Sequence, residues 1–174
     1  MTKKKEKVEG EYKYYEPVRA KLEEILRTGF PDVYLEITAN KKISNRLKAK
    51  IGKEKNIIFF FLGAAAPDIT GYVRREKYLL SDFLVVEVKA GKIKLDDVYQ
   101  ARKYAEMFNA RYALLVSTEE IPEEIKRLSD VDPLLRLSTD GSVTLVRFDK
   151  CGKFTEWFPE NPFIQEEYDE RQAP

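Results

Sequence analysis

Three residues have the types and spacing of a reactive centre: Asp68, Glu87 and Lys89. Glu87 and Lys89 close the run Phe83-Leu84-Val85-Val86-Glu87-Val88-Lys89, which reads as a strand. Side chains alternate along a strand, so Leu84, Val86 and Val88 point one way while Phe83, Val85, Glu87 and Lys89 point the other. A carboxylate and an ammonium at the end of an otherwise apolar strand must be paired, solvated or metal-bound, because a lone buried charge is very costly. By themselves they fit a plain surface pair at a strand end. Asp68 follows Pro67 at the start of a second strand, where a turn or strand cap is its common use. If that strand pairs with the first through a tight connection, its carboxylate meets Glu87 across the sheet. Two facing carboxylates repel unless a cation sits between them. A hard divalent ion, Mg²⁺ or Mn²⁺, resolves the repulsion by taking Asp68, Glu87, a backbone carbonyl such as that of Val88, and water. Lys89 would then orient or help deprotonate a metal-bound water and offset charge on a phosphate.

The elements that must hold these residues are legible from periodicity and punctuation. Residues 1–11 are rich in lysine and glutamate and are expected to be loose. Pro17 suits the first turn of a helix over 17–28, in which Val18, Leu22, Ile25 and Leu26 recur at helical spacing before Gly29. Strand patterns follow at 33–38, at the apolar run Asn56 to Leu62, at 67–73 and at 83–89. Ser44 can cap a short helix with Ile43, Leu47 and Ile51 on one side and Arg46, Lys48, Lys50 and Lys53 elsewhere. Asp96 or Asp97 can cap a helix to about Asn109, with Val98, Ala101, Tyr104, Ala105 and Phe108 as its apolar stripe. A strand at 112–117, a short helix at 122–128 and a hairpin around Asp149 to Gly152 complete the order. With no repeat or linker, the expectation is one α/β domain over 12–160, a mixed central sheet flanked by helices, and a polar tail over 161–174.

Pro67-Asp68, eighteen intervening residues and Glu87-Val88-Lys89 together resemble the signature of the PD-(D/E)xK nuclease superfamily. The helix segment Gln100-Ala101-Arg102-Lys103-Tyr104 is similar to the Q-x-x-x-Y element of its RecB-like branch, the two side chains lying four apart on one helical face. The resemblance covers about Glu16 to Ser117. It implies an α-β-β-β-α-β restriction-endonuclease-like core and metal-dependent hydrolysis of DNA, with Gln100 and Tyr104 facing the metal site or the DNA. It also implies a glutamate on the first helix near the metal, for which Glu16, Glu23 and Glu24 compete. Glu16, at the helix entrance beside Pro17, is the favoured one. The single cysteine excludes the branch with a four-Cys iron–sulfur cluster.

Composition narrows the chemistry further. The 174 residues contain 31 Lys+Arg, 30 Asp+Glu, no His and one Cys, Cys151. That removes His- or Cys-ligated zinc, an intramolecular disulfide and a His general base, so any metal must sit on oxygen. A formal charge of +1 means that affinity for DNA has to come from a local basic face. The candidates are Arg46, Lys48, Lys50 and Lys53, with Lys92 and Lys94 beside the site and Arg102 and Lys103 on the glutamine helix. Tyr72 and Tyr78 could stack on unpaired bases. No apolar run is long enough to span a membrane and no signal peptide is evident, which gives a cytoplasmic expectation. Abundant Lys and Glu with scarce Asn, Gln, Cys and Met resemble heat-adapted proteins.

The expected function is thus a small metal-dependent DNA nuclease, working as a homodimer if a duplex is to be gripped. Two other readings stand beside it. One is a catalytically silent nuclease-fold module that binds DNA or scaffolds a repair or recombination complex. The other is a structural domain in which Glu87 and Lys89 form an ordinary ion pair.

Overall fold

The computed structural model describes residues 2–51, 58, 65–75, 81–138 and 141–164. The chain runs α1 (Thr2–Leu26), β1 (Asp32–Ile37), α2 (Asn45–Lys50), β2 (Ile69–Arg74), β3 (Ser81–Lys89) and α3 (Leu95–Phe108). It continues through β4 (Tyr112–Ser117), α4 (Glu123–Val131), β5 (Ser142–Phe148) and β6 (Phe154–Phe158). The six strands form one mixed sheet in sequence order. β1, β2 and β3 pair antiparallel, β3, β4 and β5 pair parallel, and β6 returns antiparallel to β5. The single-domain α/β class expected from the sequence is therefore the observed one. The two parallel joints need crossovers, and α3 and α4 supply them. Every residue of β4 is buried, which is why Tyr112 to Val116 form a continuous apolar run and not an alternation.

Two cores lie on opposite faces of the sheet. On one face α1 packs Tyr15, Val18, Leu22 and Leu26 against Leu84, Val86, Val88 and Leu114. On the other, α3 packs Val98, Ala101, Tyr104, Ala105 and Phe108 against Val85, Ala113, Leu115 and Leu145. Ser44 caps α2 as its sequence foretells, Oγ accepting the Leu47 N–H at 3.2 Å. In the β5–β6 turn, Asp149 Oδ1 accepts the N–H groups of Cys151 and Lys153, and Gly152 takes the left-handed φ of 76°.

Several boundaries differ from expectation. The first helix starts at Thr2, takes in the segment expected to be loose, and carries Pro17 in its interior. The buried stripe explains this, because it reaches back from Val18 to Tyr15 and Glu11 and outweighs the hydrogen bond that proline removes. The N-cap of α3 is Lys94, with Asp97 in the first turn accepting the Lys94 N–H through Oδ2 at 2.9 Å. Of the apolar run Asn56 to Leu62, only Ile58 is among the described residues, and it is buried with helical, not extended, backbone. Periodicity cannot separate a buried strand from a buried helical turn over so short a run. Phe163, placed in the polar tail by composition, is buried beside Tyr112, with ring centroids 5.1 Å apart. Among the described residues no helix is long and apolar enough to cross a membrane.

Candidate active site

The β2–β3 register sets Ile69 opposite Val86, so one further step brings Asp68 opposite Glu87. A short antiparallel connection thus places together two carboxylates that lie far apart in sequence. Asp68 sits just before β2 begins, its Oδ2 accepting the Val88 N–H at 2.7 Å and its carboxylate taking a hydrogen bond from the Tyr15 hydroxyl of α1. Val85 belongs to the core beneath α3, and Val86 and Val88 to the core beneath α1. By alternation Glu87 and Lys89 face α3. They lie at the carboxyl end of β3, where crevices at the strand ends of parallel sheets characteristically hold ligands.

Glu87 is the hub. Its Oε1 accepts from Lys89 Nζ at 2.9 Å and from Gln100 Nε2 at 2.6 Å. Its Oε2 is buried and has no hydrogen-bond partner among the described residues. Gln100 lies on the second turn of α3, and the Tyr104 hydroxyl one turn later is hydrogen-bonded to it. Lys89 Nζ also stands 3.6 Å from Asp97 Oδ1. Burial, and then the neighbouring Asp68 charge, push the Glu87 carboxyl up to about 8. Burial likewise raises Asp68, against the Val88 N–H, Tyr15 and Lys89. Burial alone would make Lys89 a weaker base, but the Glu87 charge and hydrogen bond outweigh it and hold the ammonium form.

The first-helix glutamate expected near the metal is not Glu16. That side chain is 62% exposed and pairs with Arg19. Glu23 pairs with Arg19 and Arg27, and the exposed Glu24 with Lys21. The acid of α1 that reaches the site is Glu11, 6% exposed and close enough for its charge to raise Glu87 and to favour the Lys89 proton. Its signal was present in the sequence, four residues before Tyr15 and seven before Val18 on the buried stripe. Starting the helix at Pro17 hid it. Tyr15 and Asp97 were missed as site residues for a related reason, since an aromatic in a core stripe and an acid in a first helical turn both have ordinary uses.

The candidate DNA contacts divide. Tyr104 is 3% exposed and lies under the site, so it supports Gln100 and does not offer a face to DNA. Tyr72 is buried beneath Lys50, and its hydroxyl accepts from Arg46 Nε at 3.0 Å, so it is no free stacking platform. Arg46 stacks on the Tyr34 ring at 4.2 Å, and it, Lys48 and Lys50 are exposed on α2. Ile43 and Ile51, flanking α2, pack into the core beneath α3, which puts this basic helix on the site's side of the sheet. Lys92 is exposed and pairs with Glu124, Lys94 is exposed at the start of α3, Arg102 is half-buried, and Lys103 is exposed over the Tyr104 ring. Lys53 and Tyr78 lie outside the described residues. The Val88 side chain belongs to the α1-side core, and only its backbone faces Asp68.

Among the described residues no group of three or more carboxylate or thiol side chains is arranged to hold a metal ion, and the cation on Glu87 is the Lys89 ammonium. A cavity of about 720 Å³ opens at the opposite end of the parallel strands, lined by Arg111, Tyr112, Arg136 and Ser142 and by none of the residues around Glu87. No family model, curated protein or solved structure matches the chain.

Proposed function

We propose that this protein is a metal-dependent DNA nuclease whose hydrolytic site is Asp68, Glu87 and Lys89. The observation that carries the reading is a surplus of buried carboxylates. Among the described residues, Glu11, Asp68, Glu87 and Asp97 are each at most 8% exposed around one buried ammonium, and Glu87 keeps an oxygen with no partner. Buried negative charge in excess calls for protons or a cation. The donors are all oxygens, which suits Mg²⁺ or Mn²⁺ over softer metals. Asp68 and Glu87 would hold the ion, with the Val88 carbonyl and water completing its oxygen shell. When bound, such an ion stabilises charge developing on the phosphate and the leaving oxygen.

The chain's own groups have separable tasks. Lys89 holds its proton tightly, so it acts as a cation for a phosphate oxygen and not as a general base, which would need a pKa near the working pH. Gln100 fixes the Glu87 carboxylate and Tyr104 fixes Gln100. Tyr15 and the Val88 N–H fix Asp68. Arg46, Lys48 and Lys50 on α2, with Lys94 and Lys103 at α3, form the surface that meets backbone phosphates. A homodimer would extend that surface to the size a duplex footprint requires.

The direct seating of Lys89 on Glu87 favours a second reading, a silent DNA-binding or scaffolding module of a repair complex in which the pair is structural. Cleavage decides between them. Labelled single-stranded, duplex, flap and junction DNAs are incubated with Mg²⁺ or Mn²⁺ and wild type, Asp68→Ala or Lys89→Ala. Metal-dependent cutting lost in both variants is the expected result. Salt-sensitive binding without cutting selects the silent module, and no cutting together with no metal-induced shift in Tm rejects the nuclease.

A further inference from the structure

The Lys89 ammonium has two carboxylates within reach. Glu87 Oε1 lies at 2.9 Å and Asp97 Oδ1 at 3.6 Å, and both acids are buried. Asp97 does not sit there by accident of rotamer. Its Oδ2 accepts the Lys94 N–H at 2.9 Å, which anchors the carboxylate in the first turn of α3. Gln100, one turn further along the same face, reaches Glu87 from the same helix. One rigid element therefore addresses both members of the Glu87–Lys89 pair.

We propose that Asp97 is a positioning residue that keeps the Lys89 ammonium at the site when Glu87 is engaged by a divalent cation. The role rests on the nuclease reading. A cation arriving at Glu87 competes with Lys89 for the same carboxylate, and a buried ammonium stripped of its counter-charge is strongly unfavourable. Without a second acid, Lys89 would swing to solvent and leave the phosphate-facing position. Asp97 supplies that acid. At 3.6 Å it is too far for a good hydrogen bond while Lys89 rests on Glu87, yet near enough to receive it by a small side-chain rotation.

The competing explanation is that Asp97 only caps α3. Asp97→Asn separates the two, because the amide oxygen can still accept the Lys94 N–H while the charge is gone. With wild type cutting, the substitution is expected to lower kcat roughly 10- to 100-fold. KM for DNA and the Tm without metal should change little, and Asp97→Glu should recover part of the rate. A readout independent of turnover is the ¹⁵N resonance of Lys89 Nζ, assigned by loss in Lys89→Arg. It should stay slowly exchanging when Mg²⁺ is added to wild type and vanish on the same addition to Asp97→Asn. Wild-type kcat in Asp97→Asn, or a Lys89 signal that survives Mg²⁺ there, overturns the role of Asp97 alone. A wild type that neither cuts nor responds to Mg²⁺ overturns the nuclease reading and this role with it.

Discussion

Glu87 sets the residue scale, because its carboxyl is held near 8 by burial and by Asp68. An acid raised on folding binds its proton more tightly in the folded state than in the unfolded one, whose value is 4.5. Stability from this group is therefore greatest below about pH 4.5 and falls as pH climbs toward 8. Asp68 is raised as well and acts in the same direction. Lys89 is raised from 10.5, so its contribution is intact throughout that window and fades only at higher pH. Denaturant unfolding in a chelator between pH 5 and 8 should show the decline in wild type and a flatter profile in Glu87→Gln. An equal slope in both would remove Glu87 as its source. Tyr104 supports a second expectation. Tyr104→Phe keeps the buried ring and loses only the hydroxyl bonded to Gln100, at a stability cost of about 1 kcal/mol. If the protein cuts DNA as proposed, its DNA affinity measured by anisotropy should be unchanged while the cleavage rate drops, whereas a direct DNA contact would weaken binding instead.

At the scale of elements, α1 shows how a buried stripe overrides a local breaker. Pro17 is exposed within the helix and denies a hydrogen bond to the carbonyl four residues earlier, yet the helix continues on both sides. Pro17→Ala restores that bond and should raise the unfolding free energy by up to about 3 kcal/mol, read from a shifted denaturation midpoint. A lower midpoint would mean that the proline is itself needed to hold Glu11 and Tyr15 at the site. β1 and β2 approach so closely at Gly71 that a Cβ there would lie 2.1 Å from the Tyr34 carbonyl oxygen. The pairing register sets Tyr34 opposite Tyr72, at 5.7 Å between ring centroids, beneath the basic residues of α2. α3 does the most for the site, contributing Asp97, Gln100 and Tyr104 along one face while Val98, Ala101, Ala105 and Phe108 fill the core.

Over the whole molecule, the parallel centre of the sheet and its antiparallel flanks give one rigid floor, with α1 on one side and α3 and the basic helix α2 on the other. The far end is closed by the chain returning after β6. Phe163 packs on Tyr112, Phe30 and Trp157, joining the α1 side of the sheet to its last strand. Phe163→Ala should cost about 3 kcal/mol or more, the usual penalty for emptying an aromatic site, and should lower Tm. A negligible loss of stability would show that the closure is decorative.

Local regularities were open to reading from the chain alone. The alternation of Phe83 to Lys89 put Glu87 and Lys89 on one face, the apolar stripe of α3 gave its extent, Ser44 announced α2, and Asp149 to Gly152 marked the last hairpin. Each signal lies within one segment, where backbone period and side-chain type are coupled. What folding decided was which segments meet. Glu11 replaced Glu16 because the helix stripe extends past a proline, and Asp97 acquired Lys89 because α3 crosses the end of β3. Phe163 entered the core because the chain after β6 packs its ring against Tyr112. Contacts between segments depend on register and crossover geometry, which no pattern within a single segment encodes.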